Sequence, residues 1–324
     1  MFRTDFDIPY SGLSLTHHHN FLSLGSCFAE VTGQFLKKNK FKTLTNPFGI
    51  LFNPLSIFNL IDLDFILKDH HFIERDGIWL NYQLHSDIYA STKQKLYDEI
   101  KIRYDLYSNF LKKTNILIIT FGTSFIYKLK SHNIPVANCH KSNSNLFTKE
   151  FLSPEAITTQ FSKFYNSILS INPEIKVILT VSPVRHVKDT LPLNNLSKSI
   201  LSVACHTIVN TYKGISYFPS FELMMDDLRD YRFYKEDMIH PTTQAEAYIM
   251  QKFMSTYFAQ ETIKILEKVK LINNDLEHRP FHPHSASYKE FLNKTIQKIK
   301  GLSAELDFTK ELAYLEQTIN SLKI

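Results

Sequence analysis

Phe21-Leu22-Ser23-Leu24-Gly25-Ser26-Cys27-Phe28-Ala29 is the stretch from which the rest of this chain is read. Residues 21–25 form an apolar run with the length of a buried strand, and Gly25 ends it. Ser26 follows at once, and Phe28 to Lys38 has helical character, with a helix expected over residues 31–38. A serine on a strand-to-helix turn can hold its hydroxyl clear of a sheet, facing a cleft. The same position suits a helix N-cap, which serine favours because its oxygen accepts from the first unpaired amides.

The alternation continues downstream. Residues 115–121 and 176–181 are uninterrupted apolar strands ending at Gly122 and Ser182-Pro183, as in a parallel sheet buried on both faces. Further short strands are expected at 77–82 and 215–218, and helices at 54–67, 92–113, 154–171, 193–212 and 242–258. Strands separated by helices imply parallel crossovers, so the fold class is α/β. Ligands in such sheets bind beyond the carboxyl ends of the strands, where Gly25-Ser26, Gly122-Thr123 and Ser182-Pro183 fall. From about residue 259 the strand signal stops. Helices over 261–274, 288–301 and 309–322, joined by a His- and Pro-containing connector, make a helical appendage. The expected division is 1–258 for the α/β unit and 259–324 for the tail, which packs on that unit or on a partner.

Composition narrows the class. With 324 residues, 44% hydrophobic and 13% aromatic, the chain can bury a large core. The net charge of +5 comes from 37 Lys+Arg against 32 Asp+Glu with no long basic block, so no nucleic-acid partner is expected. Three cysteines, Cys27, Cys139 and Cys205, share no C-x-x-C spacing, which argues against a disulfide framework or structural zinc. The amino terminus has no apolar core of a secretory signal, and no apolar run is long enough for a bilayer. The expectation is a cytoplasmic protein with no membrane partner, no metal and no cofactor.

Asp237-Met-Ile-His240-Pro241 supplies a carboxylate and an imidazole three residues apart. A serine nucleophile needs a base, and the base needs a partner that fixes its tautomer. Ser26, His240 and Asp237 meet that requirement. The competing reading is a capped helix start before Pro241. The G-x-S-x-G elbow is absent, which excludes the common α/β-hydrolase arrangement.

Gly25-Ser26-Cys27-Phe28-Ala29-Glu30 resembles the name-giving motif of the GSCFA family, within the SGNH (GDSL-like) hydrolase group. Residues 46–50 (NPFGI), 138–141 (NCHK), 180–186 (TVSPVRH) and 233–241 resemble further family segments in the same order. The match spans about residues 20–257. The resemblance implies a flavodoxin-like three-layer α/β/α fold, with Ser26 as nucleophile and Asp237 and His240 completing the triad. It also implies that the backbone N–H of Gly49 binds the oxyanion beside that of Ser26. The group's third block usually reads Gly-x-Asn, with the Asn as another donor, whereas this chain has Gly122-Thr123-Ser124. Thr123, Ser124, Asn46 and Asn138 are the candidates to replace it.

Other residues have two readings each. Arg185 and His186, at a strand end, suit substrate contact or an ion pair that ties down the loop. Asn138 and His140 suit a cleft or a hydrogen-bonded turn. Cys27 is expected to be a buried small apolar residue, and His85 and His17-His18-His19 to lie on the surface. The acidic segment 224–231 is expected to be a solvated face. The expected function is a serine esterase that removes O-acetyl or short acyl groups from a carbohydrate through an acyl-enzyme. The alternatives are an O-acyltransferase on a sugar hydroxyl and a non-catalytic glycan-binding module. The partner is then a small-molecule or carbohydrate ester, with a homo-oligomer formed through the C-terminal helices.

Overall fold

The computed structural model describes residues 3–9 and 11–322. Met1 and Phe2, part of the stretch read for a signal sequence, lie outside the described residues, as do Tyr10 and the last two residues of the 259–324 tail.

In chain order the strands are β1 (Asn20–Gly25), β2 (Lys42–Thr45), β3 (Phe72–Arg75), β4 (Ile78–Asn81), β5 (Ile116–Phe121), β6 (Phe125–Leu129), β7 (Ile134–Val136), β8 (Phe147–Phe151), β9 (Lys176–Val181) and β10 (Ile215–Phe218). The helices are α1 (Cys27–Lys38), α2 (Pro54–Phe58), α3 (Leu63–Ile66), α4 (Lys93–Leu111), α5 (Pro154–Ile171), α6 (Leu191–Thr211), α7 (Ser220–Glu222), α8 (Thr243–Tyr257), α9 (Gln260–Glu277), α10 (Ala286–Lys300) and α11 (Thr309–Ser321).

The centre is a five-stranded parallel sheet in the order β10-β9-β5-β1-β2, flanked by helices, as expected of the α/β class. Alternate residues of β5 serve opposite faces. Leu117, Ile119 and Phe121 join one apolar cluster with residues of α4, α5 and α6, while Ile116 and Ile118 join a second with α1 and α8. Burial on both faces is why this strand reads as one apolar run. The chain enters at β1, crosses to β2 at one edge, then returns to β5 and proceeds outward through β9 to β10. The order therefore reverses between β1 and β5, and such a switch point leaves a crevice at the carboxyl ends of the two strands. Ser26 follows β1 and Gly122 follows β5.

Several elements differ from the sequence expectation. The helix expected over 54–67 is broken, because Asp62 is extended and its side chain accepts from Phe65 N at 2.9 Å, starting a new turn. The strand at 77–82 is one arm of the β3–β4 hairpin, turned at Asp76 (φ 52°) and Gly77 (φ 78°). Strand β2 and the antiparallel β7-β6-β8 sheet were not expected. The tail forms its own apolar cluster around Ile272, Leu292, Ile299 and Leu315. Helix α9 is shared, with Leu266 packed in the cluster of α1 and α8 and Val269 in that of the tail. Among the described residues no helix is long and apolar enough to cross a membrane.

Candidate functional site

Ser26 occupies the N-cap of α1 with extended backbone (φ −71°, ψ −178°), yet its side chain makes no capping bond. The residue is 1% exposed, and its Oγ has no hydrogen-bond partner among the described residues. A buried hydroxyl without a partner is uncommon and calls for a reason. Two glycines hold the turn in place. A Cβ on Gly25 (φ 135°) would lie 2.1 Å from Thr120 O, so β1 and β5 approach too closely for any other residue. A Cβ on Gly122 would lie 3.0 Å from Ser26 Cβ, which places the end of β5 directly against the serine.

Asp237 and His240 share a tight turn. Asp237 Oδ1 accepts from Ile239 N at 2.8 Å and from His240 N at 2.9 Å, and Oδ2 lies 2.7 Å from His240 Nδ1. The His240 backbone N–H, then its ring, and the Ile239 N–H hold the Asp237 carboxyl down at about 2. The carboxylate is therefore ionised at neutral pH and Nδ1 carries a proton toward it, leaving Nε2 as the basic nitrogen. This pair does not form a helix cap, because α8 is capped by Thr242, whose side chain accepts from Ala245 N.

Among the described residues no hydrogen bond joins Ser26 to His240, and the contacts between their surroundings run through Phe52, His186 and Arg185. Gly122 N donates to Phe52 O at 2.8 Å, and the Phe52 ring meets the His186 ring edge to face at 5.6 Å. His240 acts electrostatically on His186. Arg185 N donates to Ile239 O at 3.2 Å, joining the loop after β9 to the turn that carries His240. Burial, then the Lys198 charge, pushes the His186 imidazole down to about 4, so it is neutral at neutral pH. The Arg185 guanidinium lies over the Tyr234 ring at 3.9 Å, beside a cleft of about 290 Å³ that Tyr231 and Arg229 also line.

The residues expected to bind an oxyanion are engaged elsewhere. Gly49 N donates to Asn46 O at 2.8 Å and Ser26 N donates to Thr120 O at 3.0 Å. The Asn46 carboxamide bridges the strand end, accepting from Gly25 N at 2.9 Å and donating to Glu30 Oε1 at 2.7 Å. The hydroxyls of Thr123 and Ser124 turn toward Ser197 Oγ, at 3.0 and 3.1 Å. Asn138 and His140 form a separate cluster with Ser86. His140 is buried, with Nε2 2.8 Å from Asn81 O and Nδ1 3.1 Å from Ser86 Oγ, and Asn138 Nδ2 donates to Ser86 Oγ at 3.0 Å. Cys27 is half-buried, and burial raises its thiol, which keeps it protonated. In the acidic segment Asp227 is buried, in contrast to the expected solvated face, and it is held by Arg3 and Tyr248.

Sequence reading missed Phe52, Ser197 and Lys198. Lys198 lies on the same helical stripe as the buried Leu201, Cys205 and Ile208, and that spacing is the signal that marks it.

The Asp237 environment gives a direct test. Its folded value lies below the ordinary 3.8, so the carboxylate stabilises the turn above that pH and loses the effect as pH falls toward 2. Carbon-13 NMR titration should place the Asp237 midpoint near 2, rising toward the ordinary value in His240→Ala, which loses the ring bond. An unchanged midpoint in the variant would assign the depression to the backbone amides alone.

The family comparison covers most of the chain. The model of the GSCFA family matches residues 20–253, and that of the GSCFA domain protein, C-terminal domain, matches residues 269–321. Among curated proteins, none matches. One similar solved structure is a carbohydrate esterase family 3 from Talaromyces cellulolyticus, with 10% sequence identity and a TM-score of 0.29. The alignment covers 49% of this chain and 63% of that one, so the chain spans under two thirds of the esterase's length; at this similarity the likeness carries no argument. On the family match alone, the chain belongs to the GSCFA family.

Proposed function

We propose that the chain is an SGNH-type serine hydrolase acting on carboxylic esters, with Ser26 as nucleophile, His240 as base and Asp237 as its orienting partner. The observation that carries this reading is the idle hydroxyl of Ser26. It is buried at the switch point of the sheet, it has no partner among the described residues, and it does not cap its own helix. In this reading Ser26 Oγ attacks the acyl carbon and His240 Nε2 takes its proton. His240 then returns that proton to the leaving alcohol, and water releases the acid from the acyl-enzyme by the same route. Asp237 holds Nδ1–H throughout.

The expected glycine donor is engaged, so the oxyanion falls to the opening of α1. Among the described residues the amide of Phe28 has no acceptor, and that of Cys27 meets only its own thiol. Free amides at a helix start, together with the helix dipole, favour a developing negative charge. Ser26 is closed off from solvent at 1% exposure, so a substrate reaches it only when its cover parts. The substrate class is an O-acetyl or short acyl ester of a carbohydrate, whose sugar would lie along the cleft of Arg185, Tyr231 and Tyr234. The chemistry is assigned to residues 1–258, with 259–324 as a helical appendage.

A fluorophosphonate probe tests the reading. Intact-mass and peptide analysis should find one adduct, on Ser26, and none in Ser26→Ala. Folded protein that takes no label, or a label that survives Ser26→Ala, would end it.

A further inference from the structure

Lys198 is the most unusual ionisable group outside the triad. It is 1% exposed, within α6, and carries an amine where the helix otherwise packs Leu201 and Cys205. Its Nζ donates to Gly122 O at 2.8 Å and to Ser182 O at 2.7 Å. Those carbonyls belong to the residues that immediately follow the neighbouring strands β5 and β9. The carboxylate that acts on it is Glu222, which is itself held by the Tyr217 hydroxyl at 2.8 and 3.0 Å. A buried ammonium held by carbonyls instead of a carboxylate is costly, so a purely structural account would favour an apolar residue here.

Both carbonyls lead to the proposed reacting groups. Gly122 packs so closely against Ser26 that an added Cβ would lie 3.0 Å from Ser26 Cβ. Ser182 begins the loop whose Arg185 N–H bonds Ile239 O, next to His240. The preceding helical residue extends the same hold, since Ser124 N and both hydroxyls of 123 and 124 bond Ser197 Oγ. We infer that Lys198 is a positioning residue, a hydrogen-bonding clamp that ties the two strand-end loops together and so fixes the separation between the Ser26 hydroxyl and the His240 imidazole. Burial lowers the amine to about 7, with Glu222 opposing, and His186 is the other titratable group that its charge reaches. The inference rests on the proposed roles of Ser26 and His240.

Lys198→Met keeps an unbranched apolar stem, one atom shorter, and removes the donors. In this variant the rate of fluorophosphonate labelling at Ser26 should fall at least tenfold. On an acetyl ester, kcat should fall by a similar factor with KM changed less than threefold, because the clamp acts on the reacting groups and not on substrate binding. A folded Lys198→Met protein that labels and turns over within twofold of the wild type overturns the clamp. Absence of labelling in the wild type would instead defeat the triad reading, so the two failures are distinct. If Lys198→Met does not fold, wild-type protein with nitrogen-15 lysine decides the matter. The Lys198 Nζ resonance should shift when Ser26 becomes phosphonylated, and an unmoved resonance overturns the clamp.

Discussion

Replacing His240 by alanine is expected to lower kcat for acetyl-ester hydrolysis by about four orders of magnitude, with KM little changed. The imidazole is the proposed base, and its Nδ1 is already committed to an ionised carboxylate, at 2.7 Å from Asp237 Oδ2. In the proposed triad its loss leaves Ser26 without a base, and what remains is the electrostatic help of the helix start. The fold should survive. The His240 side chain is 38% exposed, so its loss opens no large core cavity. Asp237→Asn should approach the same loss by another route. An amide facing Nδ1 favours the tautomer with its proton on Nε2, and that nitrogen can then no longer accept. The two losses should not add, because both act through one nitrogen. Steady-state kinetics on the two single variants and the double variant check this. A His240→Ala protein retaining more than a tenth of the wild-type kcat would remove the imidazole from the mechanism.

Which parts of this arrangement were legible in the sequence follows from what sets each one. Strands β5 and β9 could be read because burial on both faces leaves an unbroken apolar run. Strand β2, Lys42-Thr-Leu-Thr45, could not, because it is a short and partly exposed edge strand with no apolar run. Ser26, Asp237 and His240 stand out by residue type and by position at loop ends. The direction in which a polar side chain turns is decided by its neighbours in space, and this is where the local reading ran out. Asn46, Thr123 and Ser124 are short polar residues at strand ends, as an oxyanion donor would be. Glu30 and Gly25 take the first, however, and Ser197, more than seventy positions away, takes the other two. Lys198 shows the opposite failure. Its residue type suggests a surface, while its place on the buried stripe of α6 gives its true environment.

Gly25→Ala is expected to destabilise the protein by about 4 kcal/mol or more, at the upper end of single substitutions. Two costs coincide. The backbone at φ 135° lies where an L side chain is strained, and the new Cβ would sit 2.1 Å from Thr120 O. Neither partner can yield cheaply. Thr120 is paired in the centre of the sheet, Gly25 N is held by Asn46 Oδ1 at 2.9 Å, and Gly25 O accepts from Leu51 N at 3.0 Å. Relief by moving β1 away from β5 would break the Ser26 N to Thr120 O bond, which fixes the serine turn. Any variant that folds should therefore also label more slowly at Ser26. Gly12→Ala is the control, because its φ of 77° carries the backbone strain while nothing lies within 4 Å of the added Cβ. It should cost only about 1–2 kcal/mol. Urea unfolding of the two variants separates the terms. Equal losses would mean that the close approach of β1 to β5 contributes nothing, and that backbone conformation alone requires glycine before the serine.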